Sequence, residues 1–104
     1  MSVAIMRAYC PLGTDTQAIR HMMLGMGGYT TYPGRGHWVD SAGNEVAEDV
    51  TIFECVTPDR RIECDWSAGL EHAGRVFLYD NPNEQAFLGV IIGASVKSIY
   101  ITKE

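Results

Sequence analysis

The stretch Gly34–Cys55, GRGHWVDSAGNEVAEDVTIFEC, constrains the fold of the whole chain. It contains two strand-like runs that flank a polar loop, and Ser41–Asn44 has the composition of a turn. The second run, Glu48–Val56, alternates as a strand with one buried face does. One face is predicted to carry Val50, Ile52 and Val56, and the other Thr51, Phe53 and Cys55. The segment therefore predicts a β-hairpin that carries one carboxylate, Glu48, where the loop enters the second strand.

The chain before this hairpin predicts one strand, one helix and the first hairpin strand. Val3–Cys10 is apolar and aromatic and is followed by Pro11, as is typical of a strand. Thr14–Gln17 matches a capping box, and a glycine cluster ends the helix behind it. The apolar face of this helix is predicted to comprise Ile19, Met22, Met23 and Met26. Tyr29–Asp40 then predicts a strand with a kink or bulge at Pro33-Gly34.

The chain after the hairpin predicts a second helix and further strands. Thr57 and Pro58 suit an N-cap and a first helical residue, and Gly74 suits a helix stop. An apolar stripe between them is formed by Ile62, Trp66, Leu70 and Ala73. The strands predicted to follow are Val76–Tyr79, Phe87–Ile92 and Val96–Thr102. The fold class is therefore α+β: one domain, residues 1–104, with the ferredoxin-like order βαββαβ and extra C-terminal strands.

Composition excludes several classes of function. The formal charge of the 104 residues is −5, and the eight Lys and Arg residues are scattered, so no nucleic-acid partner is expected. The apolar runs are far too short for a membrane span, and the first residues lack a signal pattern, so the expected location is the cytoplasm. Cys10, Cys55 and Cys64 form no metal-binding spacing, and the three histidines lie far apart, so no metal site is predicted.

The order of elements resembles that of the PII-like trimers. The shared pattern is a glycine-ended first helix, a twisted hairpin of the second and third strands, a second helix and terminal strands, and it covers nearly the whole chain. In PII-like proteins three ferredoxin-like protomers pack their sheets together, and small-molecule sites lie in the clefts between neighbours. The resemblance therefore implies a homotrimer. Apolar residues on both sheet faces of so short a chain point to self-association as well.

Within that superfamily the chain most resembles the phage-encoded S-adenosylmethionine lyases, formerly called SAM hydrolases. The similar positions are Arg20-His21-Met22, Gly28-Tyr29, Gly36-His37-Trp38, Glu48, and the layout of Arg75–Val90, taken as a hairpin. Trp38 stands where the family usually has tyrosine, and the loop between the aromatic residue and the acid is one residue shorter. The resemblance implies that Glu48 is the catalytic residue. It also implies that Trp38, His37 and Ala47 bind the substrate.

The reaction implied by this resemblance needs little from the protein. The methionine carboxylate of S-adenosylmethionine attacks its own γ-carbon, which expels methylthioadenosine and closes homoserine lactone, so the enzyme mainly imposes a bent conformation. No metal or cofactor is expected, and the partner is a small-molecule substrate. Glu48 would hold ribose hydroxyls or the cationic end, and Trp38 would stack on adenine or on the sulfonium. A phage enzyme of this kind acts in the bacterial cytoplasm and counters restriction.

Other interpretations are open from the sequence. The pattern GxWxDxxGxxxxE, from Gly36 to Glu48, also resembles a small bacterial PII-like family of unknown function. The chain would then be a non-catalytic module that binds a nucleotide or metabolite, or a structural trimer without a ligand. Glu48 as a solvated residue and Trp38 as a cover for the sheet are the corresponding structural interpretations.

Overall fold

Five strands and two helices make up the computed structural model, which describes residues 3–57 and 63–103. The elements in chain order are β1 (Ala4–Pro11), α1 (Gln17–Gly25), β2 (Thr30–Val39), β3 (Glu45–Thr57), α2 (Glu63–Asp80), β4 (Ala86–Ile92) and β5 (Val96–Thr102). All neighbouring strands pair antiparallel in the order β2-β3-β1-β4-β5. The predicted ferredoxin-like fold is confirmed, with one extra strand, β5, at the β4 edge.

Both helices lie on one face of the sheet, and the core lies between them and the strands. Alternate residues of β1 are buried, as the alternation of a half-covered strand requires. The predicted faces of β3 are confirmed, because Phe53 and Cys55 are buried in this core and Val56 is exposed on the other face. The predicted apolar residues of α1 also pack here, with Ile19 and Met23 fully buried. Neither described helix is long and apolar enough to cross a membrane.

The second helix continues past the point where the sequence predicts its end. Gly74 is a buried residue in the middle of α2, and the predicted strand Val76–Tyr79 is its last part, so the hairpin layout taken from Arg75 onward is wrong. A Cβ at Gly74 would lie 2.5 Å from Cδ2 of Phe87 and 2.9 Å from Cδ1 of Ile101. The glycine is needed because it lets the helix approach the sheet.

The structure tests the predicted start of the first helix but not that of the second. The N-cap of α1 is Thr16, which makes no side-chain cap, so the predicted capping box is wrong. Thr14 instead donates its hydroxyl to the Pro11 carbonyl at 2.7 Å, which closes the turn after β1. Thr57 is the last residue of β3, and residues 58–62 lie outside the described residues. The predictions for Thr57, Pro58 and Ile62 therefore stay predictions.

The β2–β3 hairpin is regular, so the predicted bulge is wrong. Pairing runs one to one from Thr30–Glu54 to Val39–Glu45, and Pro33 takes its place in the ladder opposite Thr51. Pro33 is tolerated because β2 is an outer strand of the sheet, where a residue without an N–H can face solvent. The proline therefore leaves the register of the hairpin intact.

The sheet face opposite the helices is the open face, and a charged cluster lies within it. Glu54 Oε1 accepts hydrogen bonds from Arg7 Nε at 2.7 Å and from the Tyr32 hydroxyl at 2.9 Å. The Arg7 hydrogen bond is the main cause of the lowered pKa of Glu54. By strand alternation, the apolar residues around this cluster are Ile5, Tyr9, Val50, Ile52, Val56, Leu88, Val90 and Ile92.

Candidate functional site

The β2–β3 hairpin extends beyond the rest of the sheet as a two-stranded arm, residues 35–49. Strand β1 pairs with β3 only from Val50 onward, because Pro11 is its last paired residue. The loop at the tip of the arm is closed by Asp40, whose Oδ1 accepts hydrogen bonds from the backbone N–H groups of Ala42 and Asn44, each at 2.9 Å. The predicted turn is thus confirmed, and the arm has a hydrogen-bonded end.

Glu48 lies at the base of this arm, directly opposite Gly36. The sequence predicts Glu48 at the start of the second hairpin strand. Strand β3 instead begins at Glu45, so Glu48 lies inside it. The difference arises because the Asp40 loop closes the hairpin tightly and pairing begins at Val39–Glu45. Strand alternation places the half-buried Glu48 on the same face as Val50.

The Trp38 ring lies on the same face of the arm as Glu48, over the residue that pairs with it. Trp38 is two residues from Gly36 on the same face, and a Cβ built on Gly36 would be 3.4 Å from its Cζ3 atom and 3.9 Å from the Glu48 carbonyl oxygen. The indole therefore lies over Gly36, which is the cross-strand partner of Glu48. Trp38 is 43% exposed, so part of the indole remains open to solvent.

His37 and Ala47 lie on the opposite face of the arm. They pair with each other across the two strands, one position away from the Gly36–Glu48 pair. His37 Nδ1 is 3.1 Å from Glu45 Oε2, so its contact is with a different carboxylate. Because successive side chains of a strand alternate in direction, a one-residue step separates these two residues from Trp38 and Glu48. Of the four predicted site residues, the structure brings together Trp38 and Glu48.

A second carboxylate near Glu48, Glu84, was missed by the sequence interpretation. Burial raises the pKa of Glu84, and the neighbouring Glu48 charge raises it further. The register explains the approach, because β1 ends at Pro11 between β3 and β4, and the two acids lie just beyond that end on either side. No local sequence pattern marks Glu84, since it lies in the loop before β4.

The loop that carries Glu84 is held by Asn81. The Asn81 side chain accepts from the Asp15 N–H at 2.7 Å and donates to the carbonyls of Asp15 and Phe77, each at 2.8 Å. The Asn81 carbonyl accepts from the Glu84 N–H at 2.9 Å and from Lys103 Nζ at 3.2 Å. These bonds tie the loop to the end of α2 and to the β1–α1 turn.

The thiols of Cys10 and Cys55 offer no alternative chemistry. Burial raises the pKa of Cys10 to about 12 and that of Cys55 to about 11, so both are protonated and poorly nucleophilic. Among the side chains that the structure describes, in residues 3–56 and 66–103, no three His, Cys, Asp or Glu form a group able to hold a metal ion. Two shallow depressions of about 370 and 430 Å³ lie between α2 and β5, and Glu48 lines neither.

The chemistry of this site is that of two carboxylates and an aromatic face. Carboxylates accept hydrogen bonds from ribose hydroxyls or ammonium groups, and an indole face attracts a cation or stacks on a flat ring. The arrangement suits a small molecule that combines positive charge with a planar base.

Comparison with known proteins shows a likeness of fold. No protein-family model matches the chain, and no curated protein matches it significantly. Two solved structures superimpose on 99% of this chain and 90% of their own, each with a TM-score of 0.63. One is a phage SAM lyase in the apo state, 13% identical. The other is a phage SAM lyase in complex with S-methyl-5'-thioadenosine, 15% identical.

Proposed function

We propose that this chain is an S-adenosylmethionine lyase that forms methylthioadenosine and homoserine lactone. The observation that carries the proposal is the Trp38 indole over Gly36, the cross-strand partner of Glu48, at the base of the arm. The fold that the chain shares with a phage SAM lyase, over nearly all its length, supports it.

The proposed reaction is balanced within the substrate. An oxygen of the methionine carboxylate forms a bond to the γ-carbon, and the bond from that carbon to sulfur breaks with its electron pair left on sulfur. The sulfonium becomes the neutral thioether of methylthioadenosine, and no proton, metal or cofactor takes part. The protein supplies orientation, since the reacting groups must be brought together in a bent conformer.

The residues have distinct parts in this proposal. Glu48 accepts hydrogen bonds from the ribose hydroxyls or the substrate ammonium, and Trp38 faces the adenine or the sulfonium. Glu84 adds a second acceptor on the other side of the β1 end. A site of this kind favours a cationic substrate, which agrees with the formal charge of −5.

The test is incubation of the purified chain with S-adenosylmethionine, without added metal, ATP or protein partner. The expected result is loss of S-adenosylmethionine and appearance of methylthioadenosine and homoserine lactone by chromatography. In a bacterial host, expression should deplete the same metabolite in the cytoplasm and so limit restriction enzymes that need it.

The same experiment decides between catalysis and reversible binding. Intact S-adenosylmethionine with a raised melting temperature would instead indicate the PII-like binding module, because a ligand that binds the folded state stabilises it by mass action. Intact S-adenosylmethionine with an unchanged melting temperature would contradict both functions.

A further inference from the structure

We propose that Gly36 is a positioning residue: because it has no side chain, the Trp38 indole can lie over it, on the same face as Glu48. We call this position of the ring its seat, and ligand binding depends on it. The proposal rests on the proposed function, because it concerns the same site. It assigns a role to a residue that touches neither of the reacting groups.

The first step is the space over Gly36. A Cβ there would lie 3.4 Å from Cζ3 and 3.8 Å from Cε3 of Trp38, so the six-membered part of the indole covers the direction in which a side chain would project. The backbone of Gly36 is not in the left-handed region. Glycine at this position is therefore explained by the Trp38 ring that lies over it, and not by conformational freedom.

The second step is how much space there is. A distance of 3.4 Å is ordinary van der Waals contact, so one added methyl group at Gly36 fits under the ring. A branched side chain places further carbons beyond that Cβ, in the volume that the indole occupies. Alanine is therefore expected to keep the seat, and valine is expected to displace the ring.

The third step is the effect on binding. An indole that already lies over Gly36 loses little freedom when a ligand binds, whereas a displaced one must be ordered again. Valine at position 36 should therefore weaken binding of methylthioadenosine by about three- to tenfold, the factor that ordering one large side chain represents. For S-adenosylmethionine, KM should rise more than kcat falls, because Gly36 touches no reacting atom.

The experiment compares Gly36→Ala, Gly36→Val and the control Thr31→Val. Thr31 is an exposed β2 residue on the opposite face from Trp38, so its variant shows what an added valine does to the strand alone. Valine favours strands, so all three variants are expected to fold, and their melting curves check this.

Tryptophan fluorescence measures directly whether the Trp38 ring is displaced. The chain has two tryptophans, and Trp66 is 1% exposed, so acrylamide quenching reads mainly Trp38. The variant Trp38→Phe identifies its contribution. We expect stronger quenching and weaker methylthioadenosine binding in Gly36→Val, and wild-type values in Gly36→Ala and Thr31→Val.

The inference is overturned by unchanged quenching in Gly36→Val, and also by changed quenching with unchanged affinity. Equal loss of affinity in Gly36→Ala would also overturn it, since the methyl group fits. If the wild-type chain bound neither methylthioadenosine nor S-adenosylmethionine, the proposed function and the dependence of binding on Gly36 would fall together. The quenching would then still decide separately whether Gly36 seats the ring.

Discussion

Glu48 owes its surroundings to one strand register. Because it pairs with Gly36, its cross-strand partner is the residue that the Trp38 ring covers, whereas Glu45 three residues earlier contacts His37 on the other face. The period of two predicts which β3 residues share a face, but this pairing is not predicted, because the sequence places Glu48 at the start of the strand. The approach of Glu84 could not be predicted, because it depends on the register of β1 with two other strands.

At the scale of single residues, we predict that Glu48→Gln lowers kcat/KM for S-adenosylmethionine by about ten- to a hundredfold. The change preserves shape and removes a charge whose hydrogen bonds are worth about 1.5–3 kcal/mol. Glu45→Gln, on the same strand and the opposite face, is the control and should keep full activity. Full activity in Glu48→Gln would contradict the assignment, and loss of its melting transition would show that Glu48 is structural.

Glu54 should make stability depend on acid pH. Its pKa in the folded chain is below the ordinary value of 4.5, so the folded state binds its proton less readily than the unfolded state. The stabilisation is therefore complete above about pH 4.5 and is lost as the pH falls through the lowered pKa. In Glu54→Gln, melting temperatures measured across acid pH should fall less steeply than in the wild type. An identical acid slope would contradict this role.

At the scale of elements, the strands follow from alternation, but the length of α2 does not follow from local signals. A glycine such as Gly74 is typical of a helix end, and the aromatic run after it is typical of a strand. The helical spacing of Trp66, Leu70 and Ala73 in fact continues to Phe77, which is fully buried. Tertiary contact with β4 thus outweighs the local preference, because Phe87 of β4 occupies the space where a side chain at position 74 would lie.

We therefore predict that Gly74→Ala destabilises the chain by about 1–3 kcal/mol, since its methyl group must displace the Phe87 ring. Gly69→Ala in the same helix is the matched control. A Cβ at Gly69 would lie 3.4 Å from the flexible end of Met26, so this change should stabilise by up to about 1 kcal/mol through helix propensity. Chemical denaturation measures both, and equal effects of the two variants would contradict the close approach.

At the scale of the whole molecule, we expect the apolar residues of the open face to be covered by another protein surface. It carries apolar residues around the Arg7–Glu54 pair, and a second copy of the chain would cover them. We propose a homotrimer, the assembly expected from the resemblance of the sequence pattern. The sequence predicted apolar residues on both faces, but its pattern does not specify how many copies meet.

Light scattering should give a mass of three times 11.5 kDa for the wild type. Leu88→Glu places a charge on the open face and should lower that mass. Leu24→Glu is the control, because Leu24 is an exposed leucine on α1, on the other side of the molecule, and its variant should keep the wild-type mass. A wild-type monomer at micromolar concentration, or equal masses for the two variants, would contradict assembly through this face.

Pro33 has a consequence for the behaviour of the protein at high concentration. A second chain that extended the sheet beyond β2 would need an uninterrupted row of N–H donors, and the proline removes one donor midway along this outer strand. Fibre growth by strand addition is therefore disfavoured on the β2 side. Copies of the chain can accumulate in a cell and still meet through faces, where closed and finite assemblies form, and not through the β2 edge.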